Sequence, residues 1–513
     1  MRIILEGVRL LNGLKEESTQ LNIFLLAMAL FWMNSPMWDL SFWINETVTL
    51  NYARTDFYWK IAASYSPWIW FLDLLLHFSG PKDFIFRSQA LVFSLITAYS
   101  IVSIGTSISD RRTGFIAGAI FVLAGYSINH GLQIRPYSPY TAILCLITAW
   151  TLQFVEGREN SENHRYSEWA PLLASIGIFV VHGHDFALGY LFLLFLFVTI
   201  SYYRGNEGNL VLKDKLMRSV RAPLFPPIGT LAILLFSKAP DLFSHIINAK
   251  KGGHHISGAG YGSPTVLPAL DLLKFYTNQY DVLLWLAIIC LSVLVVQSLR
   301  SIELVTNSPT SFKIIAGLVL VSHVFTYTVQ YYLTGVFIER YLFFWFPMVC
   351  LLLSLALGSL TNLVESFLNK GNYTWSKVAH VIPLAVLVMY ASTSYESIMI
   401  IKYSDIRGPV SYISEEADGE EIVLVSFPSQ DPLEYYVSAS ELEIGTHMGV
   451  WAEDELDLSV FNSTNSSIVA VLGIGAGRHW INSSVSSALI EANFVMESEV
   501  HFRNSRVWIY RGG

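Results

Sequence analysis

Apolar residues fill the first four fifths of the chain in long blocks, each parted from the next by a short polar stretch. Blocks of roughly 18 to 22 mostly apolar residues, enough to cross about 30 Å of hydrocarbon as a helix, begin near Leu21, Gln89, Thr113, Tyr137, Trp169, Phe186, Ala222, Val282, Ile314, Tyr341 and Val378. The pattern predicts an α-helical polytopic membrane protein with about eleven transmembrane helices. The first block follows a polar head, Lys15 to Gln20, with no small-residue cleavage site after it, and so reads as a retained anchor. Beyond about Asp405 the blocks give way to shorter alternations. These predict a helix from Asp405 to Ala417, a strand from Glu421 to Phe427, a helix from Pro432 to Ser438 and a strand from Ser467 to Ile474. A helix from Trp480 to Ala492 and closing strands through Tyr510 complete a small α/β layer.

Composition agrees with lipid as the main solvent of the first part. Of 513 residues, 53% are hydrophobic and 14% charged, and mean hydropathy is +0.46. Charge separates the parts: residues 405–513 hold 17 acidic and 5 basic side chains, whereas residues 1–404 hold 23 acidic and 27 basic ones. The expected domains are therefore a transmembrane domain, 1–404, and a soluble α/β domain, 405–513.

Basic residues orient the spans, because Lys and Arg in short loops are retained on the cytoplasmic side. Arg111 and Arg112, Arg158 and Arg165, Arg204 through Arg221, Arg300 and Lys313, and Lys370 and Lys377 occupy every second loop. The expected topology of this cell-membrane protein has the N-terminus inside and the C-terminal domain outside. The loop at Asn45-Glu46, the long loop from Lys238 to Gln279 and the short Glu339-Arg340 turn then share the external face. Four of five Asn-x-Ser/Thr sequons, at Asn45, Asn462, Asn465 and Asn482, fall on that face, and the fifth is at Asn372. Cys145, Cys290 and Cys350 all lie within predicted spans, which argues against a disulfide or zinc framework.

Ionisable groups are costly in lipid and usually face a cavity or partner. Here they gather at the external span ends: Glu46, Arg54, Arg87, the run His130 to Tyr137, the run His182-Gly183-His184-Asp185, His254-His255, and Glu339-Arg340-Tyr341. Snorkelling to headgroups is the bland alternative for each arginine. Arg135 and Arg340 stand in very short loops, where the chain turns straight back into lipid. His182, His184 and Asp185 admit a metal site, although a hydrogen-bonded polar cluster at a cavity mouth fits the spacing better. The Gly-rich loop Lys250 to Gly262 reads as a flap, with Lys250 and Lys251 facing headgroups or a substrate phosphate. Gly473-Ile474-Gly475-Ala476-Gly477 follows a strand, but the third-glycine spacing of a dinucleotide fingerprint is missing.

In their order these motifs resemble those of the C-class polytopic glycosyltransferases, the superfamily of the protein O-mannosyltransferases and lipid A aminoarabinose transferases. Trp43-Ile44-Asn45-Glu46 is similar to the family's first-loop Trp-x-Asp-Glu, and Phe86-Arg87-Ser88-Gln89-Ala90-Leu91 to its Leu-Arg-x-Pro-Ser. Gln133-Ile134-Arg135-Pro136-Tyr137-Ser138 resembles Glu-Ala-Arg-x-Tyr-Ser, and His182-Gly183-His184-Asp185 stands where Thr-His-Tyr is frequent. Glu339-Arg340-Tyr341 with Pro347 resembles Pro-Arg-Tyr and a later Pro, and Asp405-Ile406-Arg407 through Tyr435-Tyr436 follows the usual start of the external domain.

The resemblance implies transfer of a sugar, with inversion, from a polyprenyl-phosphate donor to a glycan, lipid or protein acceptor of the cell envelope. It implies no nucleotide site, no obligatory metal or other cofactor, and no nucleic-acid partner; membrane lipids surround the site. Its site residues map to Asn45 and Glu46 for catalysis and to Arg87, Arg135, Tyr137, His182, His184, Asp185 and Arg340 for substrate binding. One departure stands out. The family's first acidic residue is here Asn45, an amide that accepts no proton, which leaves Glu46 as base, Asp56 as a substitute, or an inactive relative. A transporter or lipid flippase shares the hydropathy, but would show internal repeats and mid-bilayer charges. A non-catalytic subunit is the third reading.

The topology has a direct check. An epitope tag fused after Gly513 is expected to be digested by protease added to intact cells. Protection until lysis would invert the assignment.

Overall fold

The computed structural model describes residues 25–31, 50, 66–79, 83–131, 133–159, 170–205, 224–250, 273–274, 276–301, 305–328, 339–369, 379, 381–400, 405–417, 421–426, 430–440, 446–450, 467–474, 481–502 and 504–512. Its helices are α1 (Ser66–Ser79), α2 (Asp83–Ile108), α3 (Arg111–Leu123), α4 (Gly125–Gly131), α5 (Tyr137–Glu159), α6 (Ala170–Val181), α7 (Asp185–Gly205) and α8 (Phe225–Lys250). There follow α9 (Asp281–Arg300), α10 (Pro309–Thr328), a 3-10 turn (Glu339–Phe344), α11 (Phe346–Asn369) and α12 (Val381–Ile400). The remainder is α13 (Arg407–Ala417), β1 (Ile422–Ser426), α14 (Gln430–Ser440), β2 (Thr446–Val450), β3 (Ile468–Ile474), α15 (Ile481–Glu491), β4 (Phe494–Phe502) and β5 (Ser505–Gly512). The chain forms two compact units, Met1–Ser35 with Gln89–Met399, and Pro36–Ser88 with Ile400–Gly513.

In the first unit each predicted block from Gln89 onward falls on a helix, and the first block is helical over residues 25–31. Among the described residues four helices are long and apolar enough to cross a membrane: Phe84–Ile108, Tyr137–Val155, Asp281–Arg300 and Phe346–Leu368. The pair α3 and α4, bent by 62°, makes a fifth if it is one span. Five further apolar helices are shorter. On α9 the residues Val282, Trp285, Ile289, Val295, Val296 and Leu299 are exposed, a continuous apolar face that only a hydrocarbon solvent leaves unpenalised. The protein is a multi-pass membrane protein. Its cysteines Cys145, Cys290 and Cys350 are buried thiols.

Between helices in lipid, close packing and hydrogen bonds replace the hydrophobic effect. Helices α2 and α3 meet at glycines: a Cβ on Gly105 would stand 2.6 Å from the Cα of Gly114, and one on Gly114 would strike the Val102 carbonyl. Helix α11 packs on α3, where the Ser354 hydroxyl donates to the Thr113 carbonyl at 2.7 Å. Asp110 caps α3 by accepting from the Thr113 amide at 2.7 Å. The Ile108 carbonyl at the end of α2 accepts from the Thr306 hydroxyl at 2.7 Å and the Asn307 amide at 2.8 Å. Inside α2, Thr97, Ser100 and Thr106 return their hydroxyls to carbonyls one turn back, which satisfies them without water.

The second unit contains the α/β layer. Its sheet runs β2-β1-β3-β5-β4, with β1 parallel to β2 and β3, and β5 antiparallel to β3 and β4. Leu424 lies opposite Met448 on one side and Val471 on the other, and Val471 opposite Trp508. Helix α15 closes the core through Ile481, Val485 and Leu489. Strand β2 and helix α1 were not expected from the pattern: β2 is short and interrupted by Gly449, and the aromatic stretch holding α1 lies between blocks. The sequon residue Asn482 accepts the Tyr510 hydroxyl at 2.5 Å. Burial holds that phenol above its ordinary pKa, against the opposing pull of the Asn482 bond. Gly475, Ala476 and Gly477 lie outside the described residues.

Candidate active site

The broken helix and the 3-10 turn organise a cluster of polar and aromatic groups in the first unit. Helix α3 stops at Ala124, which is extended (φ −73°, ψ 128°), and α4 continues at an angle through the buried His130 to Gly131. Gly131 is close packed: a Cβ there would meet the Ser94 hydroxyl at 3.2 Å and the Phe343 ring at 3.7 Å. The chain then turns through buried Gln133 and Ile134 and half-buried Arg135 into α5. Tyr137 opens α5 and is buried, and Ser138 donates to the Ala90 carbonyl at 3.1 Å, which fixes the start of α5 against α2.

The turn Glu339–Phe344 packs against α4, α5, α7 and α11. A 3-10 segment turns about 120° per residue, so successive side chains leave in different directions. Phe343 lies 6.1 Å from the His130 ring and 5.8 Å from Tyr126. Phe344 stands edge-on to His184 at 4.7 Å and 6.0 Å from Tyr137. Trp345 reaches Phe186 and Tyr190, and Phe346 reaches Tyr126 and Tyr276. Pro347 sits in the first turn of α11, where its missing amide loses nothing.

Three sequence motifs thus meet. Tyr137 and His184 face one another at 5.8 Å with Phe344 beside both, and Phe344 belongs to the turn that contains Arg340. The histidine run does not act as a block. His184 is buried and its carbonyl accepts from the Ala187 and Leu188 amides at the start of α7, whereas His182 stacks on Phe179 and donates Nδ1–H to its carbonyl. Asp185 sits in the first turn of α7, where a carboxylate suits the helix dipole, and its Oδ1 pairs with the Lys238 Nζ at 2.8 Å. Among the described residues no group of three or more His, Cys, Asp or Glu is placed to hold a metal.

Arg87 is fully buried near the start of α2, in the stretch that belongs to the second unit. Arg340 is in the 3-10 turn, and its side chain lies outside the described residues, as do Asn45, Glu46, Arg54, Asp56, His254 and His255. Phe343 and Phe344 escaped the sequence reading because they look like span residues. The signal was available: four consecutive aromatics, Phe343 to Phe346, come one residue after the Glu339-Arg340-Tyr341 motif.

No protein-family model matches the chain, and no curated protein matches it in sequence. Solved structures do match. The oligosaccharyltransferase of Archaeoglobus fulgidus in its apo form superposes with a TM-score of 0.51 at 9% identity, over 88% of this chain and 69% of that one. The arabinofuranosyltransferase AftD from Mycobacteria gives 0.51 at 10% identity, over 96% of this chain but 40% of AftD. The fold is that of the C-class membrane glycosyltransferases. ArnT from Cupriavidus metallidurans in the apo state gives 0.47 at 9% identity, over 87% of each chain. Identity near one tenth carries the C-class fold and no residue's role.

Phe344 is the contact common to Tyr137 and His184, which predicts the effect of removing it. Phe344→Ala deletes a fully buried ring and should lower stability by about 3–5 kcal/mol. Phe344→Leu should recover most of that loss. Thermal unfolding in detergent checks both, and an unshifted midpoint in Phe344→Ala would contradict the packing described.

Proposed function

We propose that the protein transfers a sugar from a polyprenyl-phosphate-linked donor to a hydroxyl of a glycan, lipid or protein acceptor at the external membrane face. The observation that carries this reading is the meeting of Tyr137, His184 and Phe344 beside the turn that bears Arg135, on a C-class glycosyltransferase fold.

In the proposed reaction Glu46 takes the acceptor proton as the acceptor oxygen bonds to the anomeric carbon. The bond from that carbon to the phosphate oxygen breaks, and the lipid phosphate leaves with the electron pair. Attack opposite the leaving group inverts the centre. Arg135, with Arg87 or Arg340, stabilises the phosphate, since a guanidinium offers a planar fork of donors and stays charged beside lipid. Tyr137 binds substrate, and His182, His184 and Asp185 orient the sugar or help to bind phosphate. The donor is already activated, so the reaction requires no nucleotide. In this reading the N-terminus is cytoplasmic and residues 405–513 form an external domain next to the acceptor's side of the membrane.

Sugar transfer from polyprenyl-phosphate donors by purified protein in lipid nanodiscs tests the reading. Arg135→Ala should weaken use of the donor far more than folding, and Arg135→Lys should restore only part because the bidentate fork is lost. Glu46→Gln should lower transfer by roughly 10² to 10⁴-fold while donor still binds. Asn45→Asp should gain little, because a second carboxylate beside Glu46 raises the pKa of both. Transfer that appears only in Asn45→Asp would mark the natural chain as an inactive relative. Full activity in Glu46→Gln would remove Glu46 from the reaction.

A further inference from the structure

The break between α3 and α4 takes backbone groups out of the helical ladder, among them the carbonyl of Leu123 and the amide of Gly125. Ala124 still donates to Ile120 at 2.9 Å, and Ile128 donates to Ala124 at 3.1 Å. The carbonyl of Leu123 and the amide of Gly125 must find partners elsewhere, and in hydrocarbon there is no water to supply them. Asn278 serves the amide directly and is linked to the carbonyl through Ser394. The Asn278 Oδ1 accepts from the Gly125 amide at 2.7 Å, and its Nδ2 donates to the Ser394 hydroxyl at 2.7 Å, while Ser394 in turn donates to the Leu123 carbonyl. The same Nδ2 reaches the Thr393 hydroxyl at 2.9 Å and the Tyr390 carbonyl at 3.2 Å on α12.

The orientation of the amide is fixed by chemistry. Gly125 N–H only donates and the Tyr390 carbonyl only accepts, so oxygen and nitrogen cannot exchange places. Thr393 spends its own proton on the Met389 carbonyl, which leaves its oxygen to accept. Asn278 is buried and holds a left-handed backbone (φ 56°), a conformation that asparagine tolerates better than most residues. Helix kinks have identifiable causes, and this one is a side chain inserted into the ladder.

We infer that Asn278 is a positioning residue for the proposed transfer, acting through the bend it closes. Helix α4 has only seven residues, too few to be stable alone, and it leads from the bend to His130 and into the turn of Gln133 and Arg135. Phe343 rests on the same segment through Tyr126 and His130. The angle at Ala124 therefore sets where Arg135 stands to receive a phosphate. This inference rests on the reading of Arg135 as the phosphate ligand.

Asn278→Gly is the clean test, because glycine accepts the left-handed backbone and removes only the side chain. Ser354→Ala is the control: it deletes a buried hydrogen bond on the same broken span, but on the α3 side of the bend. Farnesyl phosphate, a short polyprenyl phosphate, serves as probe, titrated into folded, monodisperse protein in nanodiscs. Asn278→Gly should weaken its binding about tenfold, the effect of about 1.4 kcal/mol, while Ser354→Ala binds as the unaltered protein does. Equal binding by Asn278→Gly and Ser354→Ala would overturn the inference and leave the functional reading intact. An unaltered protein that binds no farnesyl phosphate would overturn the reading, and the inference with it. If Asn278→Gly fails to fold, Ser394→Ala replaces it, with a weakening of about threefold expected from loss of one of the two linked backbone contacts; unchanged binding there would likewise refute the positioning role.

Discussion

Four consecutive aromatic side chains determine how the first unit is assembled. From Phe343 to Phe346 the backbone passes from a 3-10 turn into α11, and the change of helical pitch sends each ring toward a different neighbour. Phe343 meets the broken helix, Phe344 meets Tyr137 and His184, Trp345 meets α7, and Phe346 meets Tyr126 and Tyr276. Each such pair contributes about 0.5–1.5 kcal/mol beyond its area. In lipid, where burial of apolar surface between helices yields little, shape-specific contacts of this kind decide which helices adjoin.

The same region explains why a protein should tolerate irregular backbone inside a membrane. A regular helix satisfies all its own polar groups, and a broken one requires a neighbour to do so. The break at Ala124 is closed by Asn278 and Ser394, and the Tyr276 next to Asn278 is itself locked, donating to His323 Nε2 at 2.7 Å while His323 Nδ1–H donates to the Val319 carbonyl. The polar groups His130, Gln133, Arg135 and Tyr137 follow the break within one short stretch. Irregular backbone with satisfied bonds and clustered polar side chains is the arrangement expected where a membrane protein builds a site.

How much of this was legible in the sequence depended on distance along the chain. Apolar blocks and the short continuous apolar runs near Ile422 and Ile468 are local signals, and they marked the helices of the first unit and most of the second unit's sheet. The motif order was legible too, and it led to the C-class fold that the oligosaccharyltransferase and AftD comparisons show. The bend at Ala124 was not, since neither proline nor a run of glycines announces it and the side chain that bonds the Gly125 amide beside it, Asn278, lies 153 residues further on. His182, His184 and Asp185 were read as one cluster because they are adjacent. The end of a helix separates them: His182 still belongs to the last turn after α6, and Asp185 to the first turn of α7. Trp345 and its neighbours were taken for ordinary span residues, because hydropathy does not distinguish a ring packed on a histidine from one facing lipid.

The central claim is that the stretch Gln133 to Tyr137, His184 and the Glu339–Phe344 turn bound one lipid-phosphate site. A photoactivatable polyprenyl phosphate, cross-linked in native membranes and mapped by peptide mass spectrometry, addresses it directly. Label concentrated on peptides containing Arg135 and residues 339–345, and competed away by unlabelled polyprenyl phosphate, is the predicted result. Label confined to lipid-facing residues such as Trp285 and Leu299 of α9, unaffected by competitor, would contradict it.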